Sequence, residues 1–365
     1  MLVRRHALAV VALSRSLASS AASPAAAATP SLHLVFGAAS IPHPEKAAKG
    51  GEDAFFCDDA TGAFGVADGV GGSARDGVDP GQFSRELLRV CRAAVLDGWA
   101  SDDGTEARPA AEGGAGLPLP RALSTAAAQP ITLGGSSTLL LGQLQPRTNI
   151  LRVLNLGDSG AMLLRPSSRR FRAGNFMWPR VALRTHDQTH YFNCPYQVAA
   201  EDFAQVPARV DELCAVVRAG DVLVAATDGV LDNLFDEALQ MEVARSLPEL
   251  RATDPAAVQA AVDALAQSIA RAAHETGKRE DEEGLHTPFE VAASKEGYEF
   301  LGGKLDDVAV VCAVVREAAA ANQCPPPRSL DNFGDAPSSE GAAHGEGVVT
   351  PTKSGASSDT ANARS

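Results

Sequence analysis

Four aspartate positions stand where strongly apolar runs begin or end. Asp68 closes the run 62–67 and is followed by Gly69-Val70-Gly71-Gly72. Asp158 lies in Gly157-Asp158-Ser159-Gly160, directly after the run 151–156. Asp228 follows 222–227 and precedes Gly229, and Asp306-Asp307 opens the run 308–315. A single Asp-Gly is an ordinary turn; the recurrence at apolar strand ends is the signal. Strand ends on one edge of a sheet converge in space while staying far apart in sequence. Carboxylates gathered there repel one another and either take up protons or share cations. An all-oxygen donor set suits the hard ions Mg²⁺ and Mn²⁺. Glycine beside such a ligand lets a backbone carbonyl, such as that of Gly69, approach an ion.

The elements that must position these residues are legible from pattern. Asp79-Pro80 caps and opens a helix whose Phe83, Leu87, Val90 and Ala94 fall on one face. Asp254-Pro255 opens a second, with Val258, Val262, Leu265 and Ile269 at the same spacing. Strands are expected over 62–67, 137–144, 151–156, 161–165, 222–227 and 308–315. The Gly157–Gly160 turn is read as a hairpin joining 151–156 to 161–165. Strands joined by hairpins, with helices between groups of strands, predict an antiparallel α+β layered fold.

The chain has 365 residues, 45% hydrophobic, enough for a sizeable core. Its formal net charge of -13 excludes a basic face for nucleic acid as the main function. None of the six cysteines forms a C-x-x-C pair, so free thiols are expected rather than a zinc site or a disulfide framework. No apolar run approaches the roughly 20 residues of a membrane span, and a monomer is the expected state.

Residues 1–44 contain no acid and carry Arg4, Arg5 and Arg15 among Ala, Ser, Leu and Val. This is the composition of an organelle transit peptide, assigned to 1–31, with a secretory signal as the competing reading. The folded domain is expected over 32–316. Residues 101–120, rich in Gly, Ala, Pro and acids, read as a low-complexity insertion, and 317–365 as a disordered tail.

Six short blocks in order carry a resemblance. They are Gly51-Glu52-Asp53-Ala54, Ala67-Asp68-Gly69-Val70-Gly71-Gly72, Gly135-Ser136-Ser137-Thr138, Asn155-Leu156-Gly157-Asp158-Ser159-Gly160, Thr227-Asp228-Gly229-Val230-Leu231-Asp232-Asn233 and Gly303-Lys304-Leu305-Asp306-Asp307-Val308. The chain resembles the metal-dependent type 2C (PPM) serine/threonine protein phosphatases over about Leu32 to Val315. His190-Tyr191-Phe192-Asn193-Cys194-Pro195-Tyr196-Gln197 is similar to the organelle branch, mitochondrial and chloroplast, which includes the photosystem II core phosphatase.

The resemblance implies a four-layer α-β-β-α sandwich with two central antiparallel sheets and flanking helices. It implies a binuclear Mn²⁺ or Mg²⁺ centre. Asp68 bridges both ions, Gly69 offers its carbonyl, and Asp228 and Asp306 hold the second ion. Glu52 and Asp53 act through bound waters, Asp158 matches a third, weaker site, and Asp307 supports the metal shell or binds substrate. Water activated between the cations then attacks the phosphorus of phosphoserine or phosphothreonine in a protein substrate. Two departures stand out. Val70 occupies a position where many members have a histidine, with His186, His190 or a metal-bound water as candidate replacements, and His190 is also a candidate for substrate binding. Lys46 and Lys49 lie where many members have a phosphate-binding arginine; Lys49 is the candidate for substrate binding, as a point charge rather than a fork. The competing functions are an inactive phosphatase-fold scaffold and a small-molecule phosphatase.

Overall fold

A computed structural model describes residues 31–72, 77–100, 119–145, 148–171, 174–317 and 327–334. Its strands, in chain order, are β1 (Leu32–Ile41), β2 (Asp53–Asp58), β3 (Ala63–Asp68), β4 (Ser136–Ser137), β5 (Leu139–Gln145), β6 (Ile150–Leu156), β7 (Gly160–Phe171), β8 (Gly174–Arg184), β9 (Thr189–Tyr191), β10 (Cys194–Pro195), β11 (Val198–Ala199), β12 (Asp211–Val216), β13 (Val222–Ala226), β14 (Val308–Glu317) and β15 (Ser329–Asp331). The helices are α1 (Pro80–Ala100), α2 (Leu119–Ala127), α3 (Asp228–Leu231), α4 (Asp236–Leu250), α5 (Pro255–Gly277) and α6 (Pro288–Lys295).

Two antiparallel sheets form the centre. One has the order β1-β14-β13-β7-β8 and the other β12-β6-β5-β3-β2-β15. Strand β14 shows why its run is apolar without a break. Val308, Val310, Cys312 and Val314 pack against helices α4 and α5, while Ala309, Val311, Ala313 and Val315 face the opposite sheet. A strand covered on both faces needs apolar residues at every position. Phe36 and Phe64 meet in the layer between the sheets, their ring centroids 6.0 Å apart. Outside the six-stranded sheet, Phe83, Leu87 and Leu88 of α1 and Leu119 and Leu123 of α2 pack on Ala54, Phe56 and Leu141. Each such large buried side chain contributes on the order of 1.5–3 kcal/mol. The result is the expected four-layer α-β-β-α sandwich.

Both anticipated helices begin at their caps. Asp79 Oδ1 accepts from Gly81 N at 3.0 Å. The Asp254 carboxylate accepts from Ala256 N and Ala257 N ahead of α5.

Three expectations need correction. The Gly157–Gly160 turn is not a hairpin. Leu156 pairs with Leu139 in one sheet, whereas Gly160 pairs with Ala226 in the other. Its backbone groups bond to the 185–188 segment instead: Gly157 N donates to Gln188 Oε1 (3.1 Å), Gln188 N to Gly157 O (2.9 Å), and Ala161 N to Thr185 Oγ1 (2.9 Å). Leu119 and Pro120, read as the end of an insertion, open α2; the rest of that insertion lies outside the described residues, as do residues 1–30. The tail read as disordered contains β15, which pairs with β2 through Ser329↔Asp58, Leu330↔Cys57 and Asp331↔Phe56. Backbone pairing to a sheet edge and the Arg328–Asp263 ion pair (3.0 Å) order a polar segment whose composition shows no core. The remaining tail residues, 318–326 and 335–365, lie outside the described set.

Candidate metal centre

Strands from both sheets deliver carboxylates to one seam. Asp53 starts β2 and stands directly opposite Asp68, which ends β3. Asp228 follows β13 at the start of the short helix α3, and Asp306 and Asp307 precede β14. The sheet-crossing turn contributes Asp158, and Glu52 lies just before β2. Asp232, one helical turn after Asp228, donates its N–H to Asp228 O at 2.7 Å.

Backbone and hydroxyl bonds hold this array. Asp68 N donates to Thr138 Oγ1 (2.9 Å) and Thr138 N to Asp68 O (2.9 Å). Thr138 Oγ1 is 2.8 Å from Ser159 Oγ, tying the Asp68 strand to the Asp158 turn. Thr227 Oγ1 donates to Asp53 Oδ2 at 2.7 Å and accepts from Ala309 N at 3.0 Å, linking the two sheets. Asp307, 2% exposed, accepts from His43 N (2.8 Å) and Glu52 N (3.2 Å). Two glycines permit the close packing. A Cβ on Gly229 would lie 1.9 Å from Asp307 O, and one on Gly69 2.4 Å from Pro80 O.

Two ammonium groups lie among the carboxylates. Lys46 Nζ is 2.6 Å from Glu52, 3.0 Å from Asp307 and 3.4 Å from Asp306. Lys304 Nζ is 2.6 Å from Asp228, 2.6 Å from Asp232 and 3.5 Å from Asp306. Burial opposes the charged form of both lysines, but the surrounding carboxylates outweigh it and raise each above the ordinary lysine value.

The two cations leave acid to spare. Burial, then the charges of Asp307 and Asp228, push Asp53 well above the usual carboxylate range. Burial, then Asp228 and Asp53, do the same to Asp68. Burial and the Asp228 charge push Asp158 up to about 8. Asp232 is raised to about 7, by burial and Asp228 working against Lys304. Among the described residues, Asp53 Oδ1 and Asp158 Oδ1 are buried and have no hydrogen-bond partner. Buried oxygens of this kind, on carboxylates whose proton affinity is raised first by burial and then by neighbouring charge, are the donor chemistry a hard cation satisfies. Among the described residues no three His, Cys, Asp or Glu side chains close on one point as a ready ligand sphere; the two ammonium groups lie between them instead.

Asp53, Asp68, Asp158, Asp228, Asp306 and Asp307 act on one another through their charges, Glu52 joins them through Lys46, and Gly69 N donates to Glu52 O at 3.2 Å, while Lys49 and His190 form none of these contacts among the described residues. Lys49 is exposed on a short 3-10 turn, Ala47–Lys49, and Lys46 just before it is the one that reaches the carboxylates. His190 is exposed and lies against Tyr196, with ring centroids 4.4 Å apart. Its strand neighbours Thr189 and Tyr191, on the other face, line a cleft of about 380 Å³ that opens at Asp158 and Asp232. Phe192 and Phe289 line the same cleft, 5.1 Å apart. Asp232 and Lys304 were not singled out by sequence. The spacing of four from Asp228 signals Asp232; the reach of a lysine into the site has no signal in spacing.

No family model matches the chain. Probable protein phosphatase 2C 80 of Arabidopsis thaliana is 37% identical over 287 residues, which is 78% of this chain and 59% of that protein. Probable protein phosphatase 2C 26 of Arabidopsis thaliana is 34% identical over 298 residues, 78% of this chain and 85% of that one. The X-ray structure of the photosystem II phosphatase PBCP aligns with a TM-score of 0.59 at 29% identity, covering 77% of this chain and 98% of that one. The chain spans 53–59% of the length of three of the plant relatives it matches.

Proposed function

The chain belongs to the protein phosphatase 2C family, and from that premise we propose that it is a metal-dependent protein serine/threonine phosphatase with two Mn²⁺ or Mg²⁺ ions. What supports this reading is that Asp68 of one sheet lies within reach of the charges of Asp228 and Asp306 of the other, beside the buried oxygens of Asp53 and Asp158 that lack a partner among the described residues. Asp68 and the Gly69 carbonyl would hold one ion, and Asp68, Asp228 and Asp306 the other, with Glu52 and Asp53 outside them. Asp306 is preferred to Asp307 because the latter already accepts two backbone N–H groups, whereas the Asp306 side chain is 27% exposed. When bound, the ions supply charge for the phosphoryl oxygens and a nucleophilic water at neutral pH.

The protein's own part is positioning. Thr227 holds Asp53 in one orientation, Thr138 holds the Asp68 backbone, and Lys46 adds positive charge at the Glu52 end. The cleft leading away from Asp158 and Asp232 is lined by Tyr191, Phe192, Phe289 and Lys295. Its aromatic walls favour a phosphorylated peptide segment over a small phosphorylated metabolite. No histidine stands at Val70, and none of the described histidine side chains forms an ion pair with these carboxylates, so in this proposal the leaving group is protonated by solvent. Residues 1–31 are proposed as an organelle address, read out by fluorescent tagging of that segment, and the chain as a monomer.

Hydrolysis of phosphoserine and phosphothreonine peptides, a phosphotyrosine peptide and an aryl phosphate tests the activity, each with Mn²⁺ and with chelator. Turnover of the phosphoserine and phosphothreonine peptides should require metal and fall at least 100-fold in Asp68→Asn and Asp228→Asn, on the order of the loss from removing one element of transition-state charge stabilisation. Metal bound without turnover of any ester would leave a scaffold as the function.

A further inference from the structure

The carboxylate array is not symmetric in how its two lysines are held. Lys46 precedes a short turn and keeps 31% of its side chain exposed. Lys304 is 17% exposed and fastened along its whole length. The Asn233 carboxamide grips its backbone from both sides: Lys304 N donates to Asn233 Oδ1 at 3.0 Å, and Asn233 Nδ2 donates to Lys304 O at 2.8 Å. The same Nδ2 donates to Gly229 O at 2.9 Å, tying this lysine to the Asp228 turn. The ammonium lies 5.0 Å from the centroid of the Phe289 ring, a favourable seat for a cation. Phe289 N in turn donates to Asp232 O at 3.0 Å.

The resulting position is specific. Lys304 Nζ spans Asp228 and Asp232, at 2.6 Å from each, and Asp232 lines the same cleft as Asp158, whose Oδ1 is buried without a partner among the described residues. That end of the array is where the family resemblance places a third, weaker metal site, at Asp158. An ammonium there has the coordination demand of an ion, with its donors directed at separate carboxylates. Being tethered, it is present at a high and constant effective concentration that a free ion must overcome.

We propose that the Lys304 ammonium is a built-in cation occupying the place of a third metal ion beside Asp158, Asp228 and Asp232, so that this phosphatase saturates with two ions; the inference rests on the two-ion reading above. Lys304 then sets metal number as well as the orientation of Asp228.

Titration of the purified full chain with Mn²⁺, followed by calorimetry and by the electron paramagnetic resonance of free Mn²⁺, reads the number of ions directly. Wild type and Lys304→Arg should saturate at two. Lys304→Met should take up one further, weaker ion, and the double variant K304M/D158N should lose it again. Circular dichroism checks folding, and Lys304→Gln gives the same reading should K304M not fold. Equal stoichiometry and affinities in wild type and K304M, or a third ion in wild type, overturns the assignment. Wild type binding fewer than two ions counts against the two-ion centre, while the one-ion step between wild type and K304M still reads Lys304 separately.

Discussion

Asp53 and Asp68 stand directly opposite one another on neighbouring antiparallel strands, both side chains on the same face of the ladder. Like charges in this arrangement destabilise a sheet. Among the described residues, one of the four carboxylate oxygens, Asp53 Oδ2, has a hydroxyl donor, from Thr227. Replacing Asp53 by Asn removes the repulsion but also a carboxylate of the proposed metal centre. Without metal, D53N should melt at a higher temperature than wild type; with saturating Mn²⁺ the order should reverse. At a Mn²⁺ concentration 100 times the dissociation constant, binding raises stability by about 2.7 kcal/mol per site, which thermal denaturation with and without Mn²⁺ measures. A D53N variant stabilised by Mn²⁺ as much as wild type would exclude Asp53 from the metal environment.

The metal-free protein should lose stability as pH rises. Asp158 and Asp232 are held at about 8 and about 7, above their values in the unfolded chain. A carboxyl raised on folding favours the folded state fully below its unfolded pKa, near 4, and this advantage declines as pH climbs through the folded value. Denaturant midpoints should therefore fall between about pH 4 and pH 8 in chelator. Mn²⁺ should flatten the profile at its upper end, and its affinity should rise over the same interval, because protons and cations compete for the same oxygens.

Gly229 is the point at which the Asp228 turn touches the chain before β14. A methyl group there would sit 1.9 Å from Asp307 O, against backbone rather than a movable side chain. Gly229→Ala must push α3 and the 306–307 segment apart, and overpacking of this kind costs about 1–3 kcal/mol. The expected outcome is a lowered melting temperature together with at least tenfold weaker Mn²⁺ binding. A loss of stability with metal affinity intact would show that the two segments need not touch for the ions to bind.

Asn332, just beyond β15, acts on the strand that carries Asp53. Its Oδ1 accepts from Phe55 N at 2.8 Å and its Nδ2 donates to Asp53 O at 2.9 Å. Asn332→Ala leaves both backbone groups without these partners and should cost about 1–3 kcal/mol. Truncation after Glu317 should cost more, because it also removes buried Phe333 and exposes the β2 edge, with aggregation as the visible consequence. Chemical denaturation and light scattering of the two variants separate these effects. Wild-type stability in the truncated chain would make β15 dispensable.

Much of this was legible in sequence for local reasons. The caps at Asp79 and Asp254, the helix faces behind them, and the aspartates at strand ends all follow from periods of 3.6 and 2 and from the chemistry of single residues. Tertiary structure decided the rest. Period-2 burial says that a strand is covered, not which strand it pairs with, so Gly157–Gly160 reads as a hairpin although it carries the chain from one sheet to the other. The tail residues 329–333 look uncommitted because backbone hydrogen bonds to a sheet edge leave little mark on composition. Which lysine enters the site is set by reach and by what holds the backbone, so Lys46 and Lys304 are there and Lys49 is not. By itself, the sequence determined that this protein gathers carboxylates at strand ends. Folding two sheets face to face decided that they meet across a seam, near enough for their charges to act on one another and for Lys46 and Lys304 to enter among them.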